Sequence, residues 1–138
     1  MLLLFILSGT GRIGLVLGEP TGIEYYMPAE KNALDFQTGL SYHWGYIGAF
    51  GGFEFEIADF GNITPELKNL KLYFKPGAVV NLGLWSIWYR DFLLVGPTGR
   101  IGFKLDYDKY QFFIETGPIV YVVLDFFIDV GGVIGIRF

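Results

Sequence analysis

The sequence predicts an all-β fold, and specifically an eight-stranded antiparallel up-and-down transmembrane β-barrel. Three observations indicate this class: short segments that alternate apolar and polar residues, turn residues between them, and charges confined to one face of each segment. The composition agrees, because 52% of the 138 residues are hydrophobic, 19% are aromatic and only 17% are charged. Soluble domains average about 25% charged residues. No apolar run approaches the ~18 residues that a membrane-spanning helix requires.

The first four predicted strands are alternating segments that end at turn residues. Alternation in RIGLVLG predicts a strand at Arg12–Gly18, and the glycines and proline of GEPTG separate it from a second strand at Gly22–Met27. The PAEKN segment ends that strand, and alternation resumes over Ala33–Ser41. After a two-residue break a longer segment, Trp44–Ile57, again carries apolar residues at every second position.

Four further strands fill the second half of the chain. The NITPELKN segment before them indicates either one helical turn capped by Thr64 or a plain loop. Alternation then predicts strands at Leu70–Leu84 and Val95–Asp106. The DYDK turn leads into Lys109–Val122, and VLDF leads into Ile128–Phe138, where strict alternation ends on an aromatic residue. We therefore assign residues 10–138 to a single barrel domain.

Charged residues share one parity within each predicted strand. Side chains two residues apart in a strand lie on the same face. Lys71 and Lys75 therefore share a face, whereas Leu72 and Phe74 occupy the opposite one. The same separation holds in the other strands that carry more than one charge. Each strand with more than one charge thus has one ionic face and one apolar face.

Alternation alone does not decide which face points into the lumen. A soluble carrier barrel would place the apolar face inside, and a membrane barrel would place it outside. Glycines cluster on the charged parity, where they leave room for long side chains in a narrow eight-stranded lumen. Aromatic residues near strand ends, among them Tyr26, Tyr46 and Tyr121, are typical of the girdles of transmembrane barrels. We therefore predict that the apolar face points outward.

Charge balance favours the same orientation, because buried ions need partners. Opposite signs also fall on neighbouring strands: Glu54 and Glu56 precede Lys71 and Lys75 across one hairpin. The predicted interior charge network contains six cations and six carboxylates, namely Arg12, Lys71, Lys75, Arg100, Lys104 and Arg137 with Glu24, Asp35, Glu54, Glu56, Glu115 and Asp129.

The two ends of the predicted barrel carry a family resemblance. The ending GGVIGIRF resembles the terminal strand of bacterial outer-membrane barrels, and the segment GRIGLVLGEPTGIEYYMPAEKNALDFQTGLSY resembles the first strands of small bacterial barrels of the outer-membrane protein A and X type. The resemblance implies a location in the bacterial outer membrane, contact with its lipids, and insertion by machinery that reads the final Phe138. It implies no activity.

The opening MLLLFILSG has two interpretations. It resembles the apolar core and small-residue end of a secretory signal, which makes residues 1–9 a possible signal-peptide remnant. The alternative is an apolar extension of the first strand. The chain contains no cysteine, which excludes disulfides and cysteine-based metal sites.

Candidate catalytic residues are few. His43 is the single histidine and follows Ser41 by two residues. Outer-membrane lipid A deacylases of this fold class use a Ser–His pair with an acid, which makes Ser41 and His43, with Glu54 as the acid, a candidate set. The alternative is an interfacial histidine. Glu54 and Glu56 also suit cation binding or acid–base chemistry, but their lysine neighbours favour salt bridges.

The sequence therefore predicts a non-enzymatic barrel with a polar interior filled by side chains, which serves as an outer-membrane anchor, a stabiliser or a subunit of a larger envelope complex. A lipid A-modifying hydrolase and a small porin are the alternatives. No cofactor or metal is predicted. The net charge of −4 and the lack of a basic block argue against a nucleic-acid partner.

Overall fold

A computed structural model of the chain describes residues 11–29, 34–43, 45–84, 93–122 and 126–138. These residues form eight strands and two short 3₁₀ helices. The strands are β1 (Arg12–Gly18), β2 (Thr21–Met27), β3 (Asp35–His43), β4 (Tyr46–Asp59), β5 (Leu70–Gly83), β6 (Leu93–Tyr107), β7 (Tyr110–Tyr121) and β8 (Phe127–Arg137).

The strands close into one barrel in sequence order. Each strand pairs antiparallel with its neighbours in the chain, and β1 pairs with β8 to complete the cylinder. Leu15, for example, lies opposite Ile23 of β2 on one side and Ile136 of β8 on the other. The predicted all-β fold with eight antiparallel strands in an up-and-down barrel is therefore confirmed, with strand ends within a few residues of their predicted positions.

The connection between β4 and β5 is an ordered loop rather than a simple turn. Two 3₁₀ helices occupy it, Phe60–Asn62 and Pro65–Leu67. Asp59 caps the first by accepting a hydrogen bond from the Gly61 N–H at 2.9 Å. Of the two predictions for NITPELKN, the short helical turn is the one observed, with Pro65 as its first residue, but the Thr64 side chain makes no capping hydrogen bond.

The barrel wall is uneven in height. β1 and β2 have seven residues each, whereas β4, β5 and β6 have 14, 14 and 15. A register shift between Glu56 and Ala58 marks a bulge near the end of β4.

We call the end where β1 begins and β8 finishes the terminal end, and the end with the β1–β2 turn the distal end.

Side-chain parity divides the wall into two surfaces. Outward positions carry exposed apolar residues such as Leu40, Phe74 and Ile134, and inward positions carry buried charges and small clusters of apolar side chains. In the part of the chain that the structure describes, no helix has the length and apolar character needed to cross a membrane. Residues 1–9, with the possible signal remnant, lie outside the described residues.

The predicted aromatic girdle needs one correction. Tyr26, Tyr46 and Tyr121 are buried inside the barrel and do not face outward. Each has the inward parity of its strand, which the strand-end position alone did not reveal. Tyr42 and Tyr107, by contrast, are exposed on the outer surface.

The charged lumen as candidate functional site

Arg137 is the centre of the ionic cluster at the terminal end. It lies on the last strand, and its side chain is fully buried. Its guanidinium donates to Glu24 at 2.5 Å, to Glu54 at 2.6 Å and to the Gln111 side-chain carbonyl at 2.6 Å. These partners lie on β2, β4 and β7. One side chain therefore connects four strands across the lumen.

Two aromatic rings enclose the same guanidinium. The carbon at its centre lies 4.0 Å from the centroid of the Tyr26 ring and 4.4 Å from that of Phe113. A guanidinium that is excluded from water gains from stacking on aromatic faces. Arg137 is thus held by hydrogen bonds to three side chains and by contact with two aromatic rings, an arrangement that lysine would not reproduce.

Lys104 extends this first group of charges. Its ammonium donates to Glu54 at 3.1 Å and to Asp35 at 3.3 Å. Asp35 also accepts a short hydrogen bond from the Tyr26 hydroxyl. The group contains two cations, Arg137 and Lys104, and three carboxylates, so its formal charge is 2 − 3 = −1.

A second group surrounds Glu115. Its carboxylate accepts hydrogen bonds from Lys75 at 2.5 Å, Arg100 at 2.9 Å and the Tyr73 hydroxyl at 2.7 Å. Lys75 also donates to the Gln37 side chain at 2.7 Å. Two cations and one carboxylate give this group a formal charge of 2 − 1 = +1. The two groups therefore neutralise each other within one lumen.

Glycines on the inner face of the wall leave room for these charged side chains. A Cβ added at Gly14 would lie 2.7 Å from Cγ of Glu24, and one added at Gly102 would lie 2.8 Å from Cβ of Glu115. Real Cβ atoms are not found so close to other heavy atoms. The glycines on the charged parity thus explain how a narrow barrel accommodates long ionic side chains.

The structure brings eight of the twelve predicted interior charges into these two groups: Glu24, Asp35, Glu54, Lys104 and Arg137 in the first, and Lys75, Arg100 and Glu115 in the second. Three more lie at the rim of the terminal end. Arg12 pairs with Asp106 at 3.4 Å, and Lys71 pairs with Glu56 at 3.0 Å. All of these rim side chains are at least one quarter exposed.

Asp129 is the exception among the twelve. It lies near the distal end, where its carboxylate accepts a hydrogen bond from the Val130 backbone N–H at 2.8 Å. It therefore does not belong to the charge network of the terminal end. Its parity places it on the inner face, but none of the ion pairs among the described residues includes it.

Sequence reasoning missed the neutral partners of the network. Gln37, Tyr73 and Gln111 are all buried and each binds a charged side chain in the lumen. The signal was present, because Tyr73 stands between Lys71 and Lys75 on the same parity. A rule that counts only charges overlooks hydroxyls and amides that complete a buried cluster.

The distal half of the lumen is filled differently. Tyr46, Val79, Leu94, Ile119 and Tyr121 form a buried apolar cluster there. Between these side chains and the β1–β2 turn lies a cavity of about 10 Å³, which is close to the smallest space that can hold one water molecule. The described residues therefore fill the lumen with side chains along both halves.

Of the candidate catalytic residues, Ser41 and Glu54 lie far apart. Ser41 is buried in the distal half, and its hydroxyl has no hydrogen-bond partner. His43 lies two residues further along β3, and its side chain is outside the described residues. Glu54 pairs in register with Asp35, six residues from Ser41 along β3, which is about 20 Å in an extended strand. Its carboxylate is bound by Lys104 and Arg137.

The same carboxylates do not form a metal site with other described residues. Among the described residues, no group of three or more histidine, aspartate or glutamate side chains is arranged to hold a metal ion. Glu54 and Glu56 instead point to different partners, since Glu54 binds lumen cations and Glu56 binds Lys71 at the rim.

Fold and site together define a class: a closed eight-stranded antiparallel β-barrel whose lumen is packed by a neutralised ionic cluster and an apolar cluster. No protein-family model, no curated protein and no solved structure matches the chain.

Proposed function

We propose that this chain is an integral barrel of the bacterial outer membrane with a structural role, as an anchor, a stabiliser or a subunit of a larger envelope complex. The observation that carries the proposal is the inversion of polarity across the wall. Outward side chains such as Leu40 and Val130 are 67% and 65% exposed, whereas Glu24 and Arg137 are 1% and 0% exposed. Water as the outer solvent would favour the opposite arrangement.

Closure of the sheet supports a lipid environment. In lipid each unpaired backbone group costs several kcal/mol, so spanning sheets have to close. Strands β4 to β7 have 12 to 15 residues, more than the ~9–11 that a tilted strand needs to cross the bilayer. β1 and β2 are shorter, so the apolar wall is lower on their side.

The filled lumen supports a structural role over transport. The ionic groups block the terminal half and the apolar cluster blocks the distal half. The turns between β1 and β2 and between β6 and β7 have only two residues each, which leaves little surface for recognising a soluble ligand. A small porin would need a continuous aqueous path, and a hydrolase would need an acid beside Ser41.

Insertion is proposed to follow the route of other outer-membrane barrels. Phe138 follows β8 directly and is 51% exposed on the apolar parity of the strand. Its position leaves the ring accessible to the barrel-insertion machinery. Its backbone exchanges hydrogen bonds with Ile13 of β1, so the same residue also closes the seam between the first and last strands.

The test is fractionation combined with gel mobility before and after heating. We expect the protein in the outer-membrane fraction, with a faster-migrating band in unheated samples that is lost on boiling. Recovery as monomers in detergent-free buffer would contradict the proposal and favour a soluble carrier. A steady open level in planar bilayers would contradict the structural role and favour a porin.

A further inference from the structure

The β4–β5 loop, residues 60–69, combines a fixed conformation with exposed apolar side chains. Ile63 at its tip is 75% exposed, and Leu67 in the second 3₁₀ helix is also exposed. The Ile63 and Thr64 N–H groups both donate to the Phe60 carbonyl at 3.0 Å, and the Asn69 carbonyl accepts from the Asp106 N–H at 3.1 Å. These bonds hold the apolar side chains in place at the terminal end.

The loop leans toward the outer surface of the barrel and not over the lumen. The Phe60 ring lies with its centroid 6.1 Å from that of Phe103, which is an outward, exposed residue of β6. The apolar surface of the loop is therefore continuous with the apolar outer wall. The β6–β7 turn at the same end has no such surface, because it consists of Asp108 and Lys109, both exposed.

We infer that the β4–β5 loop is a membrane-surface anchor that inserts Ile63 and Leu67 among the lipids of the leaflet at the terminal end. This inference rests on the proposed membrane location. Continuity with the outer wall brings the loop to the headgroup region, and an apolar side chain there gains by leaving water. Polar Asn62, Glu66 and Lys68 alternate with the apolar residues and can remain in the aqueous layer.

Lipid, and not a protein partner, is the proposed occupant of the apolar surface of the loop. A protein partner would be expected to bind projecting polar and apolar residues together, away from the wall. Here the aromatic contact through Phe60 draws the loop against the surface that acyl chains cover in the proposed setting. Lipid can cover this surface of the loop without any additional protein.

Single-cysteine labelling tests the inference, because the chain has no native cysteine. Ile63→Cys and Leu67→Cys would each carry an environment-sensitive fluorophore in vesicles of phosphatidylethanolamine and phosphatidylglycerol. Lys109→Cys, in the β6–β7 turn at the same end, is the matched aqueous control. We expect lipid-borne quenchers to act several-fold more strongly at 63 and 67 than at 109, and iodide to show the reverse order.

Phe74→Cys separates this inference from the proposed function. Phe74 faces outward from the body of β5, so strong lipid quenching there is the signature of the membrane barrel itself. If lipid-borne quenchers act on the label at 74 while iodide reaches the labels at both 63 and 67, the loop anchor is contradicted but the membrane barrel is not. Absence of lipid quenching at 74 would overturn the proposed function. A label at 63 that iodide reaches in vesicles but not in whole envelopes would indicate a protein partner and overturn the lipid assignment.

Discussion

The two halves of the lumen fill the same narrow space by different means. From the terminal end to the middle of the lumen, charges from β2 to β8 bind one another in two groups of opposite formal charge. At the distal end, Val79, Leu94 and Ile119 pack with tyrosine rings. The stability of the ionic half depends on a partner for every charge, whereas the stability of the apolar half depends on how fully its side chains fill the space. Loss of one partner should therefore cost more in the first half than loss of equal volume in the second.

The largest effect is expected for Arg137→Met. This change leaves Glu24 and Glu54 buried without their shared cation, and breaking a buried pair costs about 3–5 kcal/mol. Urea titration of the barrel in lipid vesicles measures the loss in free energy of unfolding. Arg12→Met is the control, because its rim pair with Asp106 is partly exposed and is worth about 1 kcal/mol or less. Equal losses in free energy of unfolding for the two variants would contradict the central position of Arg137 in the network.

Lys75→Leu should follow, at the lower end of the same range, about 3 kcal/mol. Glu115 loses one cation but keeps Arg100 and the Tyr73 hydroxyl. Lys68→Leu in the exposed β4–β5 loop is the matched control and should change stability little. Coincident urea midpoints for Lys75→Leu and Lys68→Leu would contradict the lumen position of Lys75.

Ile119→Ala probes the apolar half and should cost about 2–3 kcal/mol through lost burial and a new cavity. Val120→Ala, on the next residue, faces the outer wall and should cost less, because lipid or detergent fills the space that the missing methyl groups leave. Thermal unfolding in a fixed detergent gives the difference. A greater loss for Val120→Ala than for Ile119→Ala would reverse the assignment of inside and outside on β7.

Tyr73→Phe is expected to have the smallest effect of the four, about 1.5–2 kcal/mol, because it removes one hydrogen bond to a charged group. The ring remains, so packing is retained. Tyr107→Phe, on an exposed residue of β6, provides the control. If both variants unfolded at the same urea concentration, the Tyr73 hydroxyl would have no role in holding Glu115.

Local patterns predicted much of this structure, and long-range geometry accounts for the rest. The two-residue period of a strand is sufficient to place Lys75 and Phe74 on opposite faces, without knowledge of the fold. Neighbouring-strand charges also indicated the contact of Lys71 with Glu56, which the structure contains.

The sequence alone could not predict which residues meet across the lumen. Glu54 binds Arg137 of β8 and Lys104 of β6 rather than a lysine of the adjacent β5. Which residues meet across a barrel depends on the stagger of all eight strands and on the closure of β1 with β8. Asp129 has the inward parity, but its carboxylate binds the adjacent Val130 N–H and takes part in no ion pair among the described residues, which parity alone could not predict.

The central claim is that the apolar face of the wall meets lipid while the other face is packed inside. Spin labels placed one at a time along β5 in lipid vesicles test it most directly. We predict that collision with oxygen, which concentrates in the acyl region, is high at 74, 80 and 82 and low at 79 and 81. High collision rates at 79 and 81 with low rates at 74, 80 and 82, or no alternation at all, would contradict the claim.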